Sequence, residues 1–429
     1  MSNSGDLRFI KLPAKSPADV TDDVRRTVEE ILLDIERGGY DAVRRWSSKL
    51  DGWAPDSFVV TEDDFERAAA GLDPALVEHI QFAQRQIGDF ARAQLASLSE
   101  VCVEPVPGVV LGHKHIPIET VGAYVPGGRY PMLASSFMTI LVAKVAGVDN
   151  VVATAPPQGG AGVHPAMLYA MWTSGADVVV CLGGVQALGA LAFGLIDGAP
   201  AVDMLVGAGN AYVAEAKRQL YGRVGIDLLA GPTEVLVVAD ASADPRLVAA
   251  DVLGQAEHGP TSAGGVIAIG SDVAEAVARE IGDLLKTWPT RDVAEGAWRD
   301  YGWIAVVEDD DAAIAAANKA ANEHLEVQVD PDKLDMYLER LRNYGSLFLG
   351  DEATVAYGDK AVGTNHVLPT AGAARYTGGL WVGKFLKTCT WQQLSKEGTR
   401  SVAPAVAAIC EAENFAGHGL TATMRLDRI

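Results

Sequence analysis

The stretch 121–210 carries four short apolar runs of one format: VGAYVPGG (121–128), NVVATAPP (150–157), DVVVCLGG (177–184) and DMLVGAGN (203–210). Each reads as a β-branched strand ending in glycine or proline, and alanine-rich segments of helical length separate them. Strands alternating with such helices indicate a parallel sheet with crossover connections, so the fold class is α/β. The format returns downstream in EVLVVAD (234–240), GGVIAIG (264–270), WIAVVED (303–309) and LEVQV (325–329), with helices expected around 247–257, 273–285 and 311–321. Two similar modules in tandem suggest an old duplication, although no residue-level repeat is visible.

Outside these modules the pattern changes. Residues 20–98 read as surface helices; in VRRTVEEILLDIERGGYDAVRRWSSKL (24–50), Ile31, Leu32, Ile35 and Tyr40 fall on one face. Beyond Arg375 the sequence is mixed and ends helix-like over 392–413. Such a tail cannot bury itself alone and is expected to pack on another domain or on a second subunit.

Length and composition set limits. A chain of 429 residues exceeds one core of ordinary size. With 49% hydrophobic and 21% charged residues it is globular rather than disordered. No apolar run is long enough to span a bilayer, and MSNSGDLRFIKLPAKS lacks the apolar core of a signal peptide, so a cytoplasmic protein with no membrane partner is expected. Cys102, Cys181, Cys389 and Cys410 are far apart and read as buried reduced thiols. Acidic residues outnumber basic ones by 56 to 35, a net charge of −21, which argues against nucleic acid. An anionic small substrate would need a local basic cluster.

Several segments could carry chemistry. DVLGQAEHGP (251–260) places Gln255 and His258 three apart at the end of a helix stopped by Gly259 and Pro260. An amide oxygen and an imidazole on one face can reach one ion, although by spacing alone ordinary helix polarity is the commoner meaning of such a pair. In ANEHLEVQV (321–329), Glu323 and His324 stand where a helix gives way to a strand; strand ends display reactive groups in α/β folds, and an acid beside an imidazole could divide the tasks of base and water activator. A solvated helix end is the competing reading. GDKAVGTNHVLPT (358–370) combines Asp359, Asn365 and His366, and NFAGHGLTATMRL (414–426) holds His418, five residues after Glu413. GAYVPGGRYP and VGAGNAYV suit close approach of backbone to a ligand, but neither is a G-x-G-x-x-G fingerprint: Tyr212 stands where the third glycine belongs.

Taken together, the phrases VGAYVPGG, AKVAGV, YGRVGIDLLAGPTEVLV, GQAEHGP, NEHLE and GTNHVLPT, in that order, resemble the histidinol dehydrogenase family from about Val20 to the C-terminus. The resemblance implies an intertwined homodimer of two incomplete Rossmann-like domains with small N- and C-terminal helical pieces: an arm 1–22, one domain from 23–123 and 234–375, a second from 124–233, and a tail 376–429 that completes the partner's site. It implies a zinc- and NAD-dependent four-electron oxidation of an alcohol to an acid. By motif, Gln255, His258, Asp359 and His418 would hold zinc, His324 would act as base and Glu323 would activate water. Tyr124, Gln186 and Asn210 would contact NAD, and Thr233, His366 and Glu413 the substrate. Matching GLTA to the family's ending would instead put Thr423 at the metal; counting back from Arg425 and Leu426 aligns His418 and keeps Glu413 at its distance, and threonine is a poor zinc ligand.

Three departures from the biosynthetic members, Thr233, Ala134 and Ala208, point away from histidinol. AEAKRQLYGRVGIDLLAGPTE, ARYTGGLWVGKFLKTCT and FAGH look more like the sulfopropanediol 3-dehydrogenase branch, which implies 2,3-dihydroxypropane-1-sulfonate, oxidised to sulfolactate, as the favoured small-molecule substrate. Arg375, Lys384 and Lys387 could attract its sulfonate or simply form a solvated face. Histidinol oxidation, or a non-catalytic metabolite-binding relative, are the alternatives.

Overall fold

The computed structural model describes residues 7–15, 22–128 and 130–429, so part of the expected arm 1–22 lies outside the described residues. Two parallel sheets organise the chain, as the alternating strands and helices predict. The five-stranded sheet runs Val178–Cys181, Asn150–Ala155, Thr120–Tyr124, Met204–Val206, Gly225–Ile226. The six-stranded sheet runs Arg8–Lys11, Trp303–Val307, Ala263–Ile269, Glu234–Ala239, His324–Gln328, Ser346–Leu349, and only the N-terminal strand is antiparallel to its neighbour. The central strands Asn150–Ala155 and Glu234–Ala239 are apolar and buried almost throughout because helices cover both faces.

The N-terminal helices differ from the expected partition. The helix Asp22–Asp51 buries Val28, Ile31, Leu32, Ile35, Ala42 and Val43 in the core of the five-stranded sheet, against the helices Gly184–Ala192 and Ala211–Leu220. The helix Pro74–Ala96 buries Ile80, Ala83 and Ile87 with Phe137 and Ile140 of the same domain. Residues 23–96 therefore pack with 118–233, not with the six-stranded sheet. The reason for the first helix is visible in Gly184–Ala192, whose residues from Val185 to Ala192 are all buried: a helix buried all round needs another layer outside it, and the amphipathic helix Asp22–Asp51 supplies that layer.

The tail also corrects the expectation of 23–123 as one unit. Val101–Val106, Val109–Pro117 and Leu386–Leu394 form a three-stranded antiparallel sheet in which Leu386 pairs with Pro117 and Leu394 with Val109. Residues 392–394, expected as helix, close this strand; helices follow at Lys396–Ala412 and Ala416–Leu426. These two helices pack on each other and leave Ile409, Phe415, Leu420 and Met424 more than half exposed. Cys181 and Cys410 are buried as expected, but Cys102 is exposed and Cys389 half-buried, because both lie in the three-stranded sheet that no helical layer fully covers. Among the described residues no helix is long and apolar enough to cross a membrane.

Candidate active site

Helices in parallel α/β units run back against their strands. The helix Pro245–Ala256 therefore ends, with Gln255 in its last turn, beside the amino-terminal edge of the six-stranded sheet, where Glu234 and His324 open their strands. The helix Val355–Lys360 adds Asp359, and the loop after it returns His366 to the same place. Reactive side chains thus gather at the beginnings of these strands, not at the carboxyl ends where such folds usually display them. They can do so because the His366 loop reaches the other domain: Asn365 donates to the Met138 carbonyl at 2.7 Å. Asn365 anchors that loop and takes no part in the cluster.

The cluster is dense. Asp359 is at its centre: His366 Nδ1 lies 2.8 Å from Oδ1, His258 Nε2 3.7 Å from Oδ2, and His324 Nε2 3.9 Å from Oδ1. Burial alone would raise the Asp359 carboxyl, but His366, His324 and Lys360 outweigh it and hold it down at about 2. Thr233 donates to Glu323 Oε2 at 2.6 Å, as does the Glu234 amide at 2.9 Å. The Gln255 amide nitrogen donates to Thr233 Oγ1, which leaves the Gln255 oxygen as the end a cation would use. Burial pushes the Glu323 carboxyl well above the usual carboxylate range and raises Glu234 to about 7.

His324 is the most informative member. Its Nδ1 lies 3.0 Å from the Glu234 carbonyl, an acceptor only, so that nitrogen carries the proton. Its Nε2 is buried and has no hydrogen-bond partner. Burial lowers its pKa to about 4, so the ring is neutral near pH 7 with an unshared basic nitrogen facing the cluster.

The donor set fits a metal. Ligand atoms of His324, Asp359 and His366 lie within 4.8 Å of one another. Two ligands of a tetrahedral zinc at about 2.0–2.2 Å stand about 3.4 Å apart, close to the His258–Asp359 separation of 3.7 Å. His366, bound to the other oxygen of Asp359, stands where the outer partner of a ligating carboxylate would stand. His418 and Glu413, by contrast, are not brought here: both are exposed on the tail, and the His418 ring packs on Phe415 at 4.6 Å. Arg375, Lys384 and Lys387 also stay apart; Arg375 folds onto the Gly372 carbonyl and Lys384 onto Thr377.

A second group occupies the carboxyl edge of the five-stranded sheet, where the strand order reverses between Thr120–Tyr124 and Met204–Val206, the switch point at which such sheets bind ligands. Tyr124, pushed up to about 12 by burial, accepts from the Gly184 amide at 3.4 Å. Gln186 donates to Asp51 at 2.7 Å, and its buried Oε1 has no partner. Asn210 caps the next helix through the Tyr212 and Val213 amides. Gly207 is at φ 112°, and a Cβ there would meet the Tyr124 carbonyl oxygen at 2.2 Å, so only glycine lets the two loops approach. A buried ion pair, Lys217 with Asp227, grips both backbone groups of Gly207: Lys217 donates to its carbonyl at 2.9 Å and its amide donates to Asp227 at 2.7 Å.

Sequence reading overlooked Glu234, Asp51 and the Lys217–Asp227 clamp. It also passed over Glu326 and Gln328, although polar residues alternating inside a buried parallel strand were a usable signal.

The family model for histidinol dehydrogenase matches residues 14–426. A histidinol dehydrogenase homolog of Shouchella clausii is 49% identical over 424 residues, 98% of this chain and 99% of that protein. A sulfopropanediol 3-dehydrogenase of Ruegeria pomeroyi is 46% identical over 422 residues, 98% of this chain and 95% of that protein. The crystal structure of histidinol dehydrogenase from Elizabethkingia anophelis superposes with a TM-score of 0.91 at 31% identity, covering 97% of this chain and 95% of that one.

Proposed function

The chain belongs to the histidinol dehydrogenase family and is an oxidoreductase acting on CH–OH groups; from that premise we propose that it oxidises a small primary alcohol through an aldehyde to a carboxylate, with zinc and NAD, and that the alcohol is 2,3-dihydroxypropane-1-sulfonate. The observation that carries the reaction is the unshared, buried Nε2 of His324 beside a carboxylate ringed by imidazoles. The choice of alcohol rests on Thr233, on the phrases that resemble the sulfopropanediol 3-dehydrogenase branch, and on the 46% identity with the relative of that name.

In this reading Gln255, His258 and Asp359 hold zinc, which when bound polarises and orients the alcohol oxygen. His324 Nε2 would take the hydroxyl proton, NAD when bound would supply the hydride acceptor, and the Glu234 carbonyl keeps the ring in the needed tautomer. Glu323 then removes a proton from the water that attacks the aldehyde; Thr233 and the Glu234 amide hold its carboxylate in place. His366 orients Asp359 and faces the substrate. Tyr124, Gln186 and Asn210 receive NAD at the switch point.

Pure enzyme given NAD should form NADH with the diol sulfonate, and chelation followed by zinc should abolish and restore it. Rapid NADH from histidinol with none from the sulfonate would overturn the choice of alcohol.

The tail enters through its partner. Its apolar face is uncovered by its own chain, and we place Glu413 and His418 in the site of a second copy. Inactive Asp359→Ala and His418→Ala proteins, unfolded together and refolded as a mixture, should regain activity, because a hybrid dimer holds one site with both residues intact. No recovery in verified hybrids would refute the exchange.

A further inference from the structure

Beneath the cluster, three segments that each carry a site residue are tied together by one polar network. His324, Glu326 and Gln328 alternate along one buried strand and so share a face. The helix Pro245–Ala256 meets that face with Asp251, one turn before Gln255. Thr354 and Val355 begin the short helix that carries Asp359 one turn later. Glu326 Oε1 accepts from the Val355 amide at 3.0 Å, and Asp251 Oδ1 accepts from Thr354 Oγ1 at 2.9 Å. Gln328 Nε2 bridges the two acids, 2.8 Å from Asp251 and 3.3 Å from Glu326. Burial keeps both carboxyls above the usual carboxylate range. The Asp251 carboxylate beside Glu326 further disfavours charge on Glu326.

Packing alone does not account for this arrangement. The residues in register with Glu326 on the neighbouring strands are Val237 and Phe348, and apolar side chains commonly replace buried polar groups without loss of stability. What the network does, and an apolar plug could not, is fix the rotation and height of three elements by directional bonds, each made one turn or one strand alternation from a site residue.

We propose that Asp251, Glu326 and Gln328 are positioning residues for the metal site. They hold the strand of His324, the helix of Gln255 and the helix of Asp359 in one register, so that the ligands stand at coordinating distances before the ion arrives. This rests on the assignment of Gln255, His258 and Asp359 as zinc ligands.

The test is zinc affinity, measured by competition with a chelator, alongside kcat and NAD binding. Glu326→Leu should fold, bind NAD normally at the other sheet and lose about 10- to 100-fold in zinc affinity, the usual cost of disturbing a metal site's outer shell. Glu326→Gln should fall between that variant and wild type, because its amide oxygen can still accept from Val355 while its NH2 replaces the oxygen that accepts from Gln328. Should Glu326→Leu not fold, Asp251→Leu reads the same effect, since it leaves Thr354 and Gln328 without the oxygens they donate to. Wild-type zinc affinity and kcat in either folded Leu variant would overturn the inference alone. A wild-type protein unable to bind zinc would overturn the metal site and the inference with it.

Discussion

Replacing His324 with alanine should slow alcohol oxidation by about 10²- to 10⁴-fold, the range contributed by a positioned general base, while zinc content and NAD binding persist. The basic nitrogen is already desolvated, neutral and free of competing donors, and no other side chain of the cluster combines those properties. His258 and His366 both contact Asp359, and Glu323 is held by Thr233 and Glu234. Single-turnover NADH formation from the alcohol reads the step directly. Activity within a few-fold of wild type would remove His324 from the reaction. The pH profile adds a check: with a pKa of about 4, His324 stays unprotonated from pH 8 to pH 5, so its own protonation should reduce the rate only as the pH nears 4. A limb near pH 6.5 that vanished in His324→Ala would keep the base but contradict the lowered pKa that burial gives it.

The second large effect is expected from Glu323→Gln, and it should be selective. Thr233 and the Glu234 amide donate to one carboxyl oxygen, which the glutamine carbonyl can replace, so the local geometry should survive. What is lost is a proton acceptor whose basicity burial has increased. Aldehyde hydration and oxidation should fall by about 10²-fold or more, and alcohol oxidation far less. The NADH formed per alcohol should then drop from two equivalents toward one, with aldehyde recoverable by a carbonyl trap. Equal loss of both steps would end the division of labour between Glu323 and His324.

Local pattern made much of this legible in advance. Strands of 4 to 7 residues separated by helices can be read from alternating composition, and the strands at Asn150–Ala155, Val178–Cys181, Glu234–Ala239 and Ala263–Ile269 lie where it predicts them. Motif order assembled Gln255, His258, Glu323, His324, Asp359 and His366, which the structure brings to one place. The covering of the five-stranded sheet by residues 22–96 was not legible, because an amphipathic stripe says that a face is buried but not against what. The pairing of 109–117 with 386–394 was hidden for a similar reason: hydrogen-bonded partners separated by hundreds of residues leave no periodicity in either segment.

By itself, then, the sequence determined the α/β class, the residue types of the site and the family, since these depend on local alternation and ordered motifs. Only the tertiary structure decided that the cluster forms where its strands begin, that His324 exposes one unshared nitrogen, and that Asp251 and Glu326 meet beneath it. Basicity and ligand geometry come from burial and from distances between elements remote in the chain, and neither exists until those elements pack.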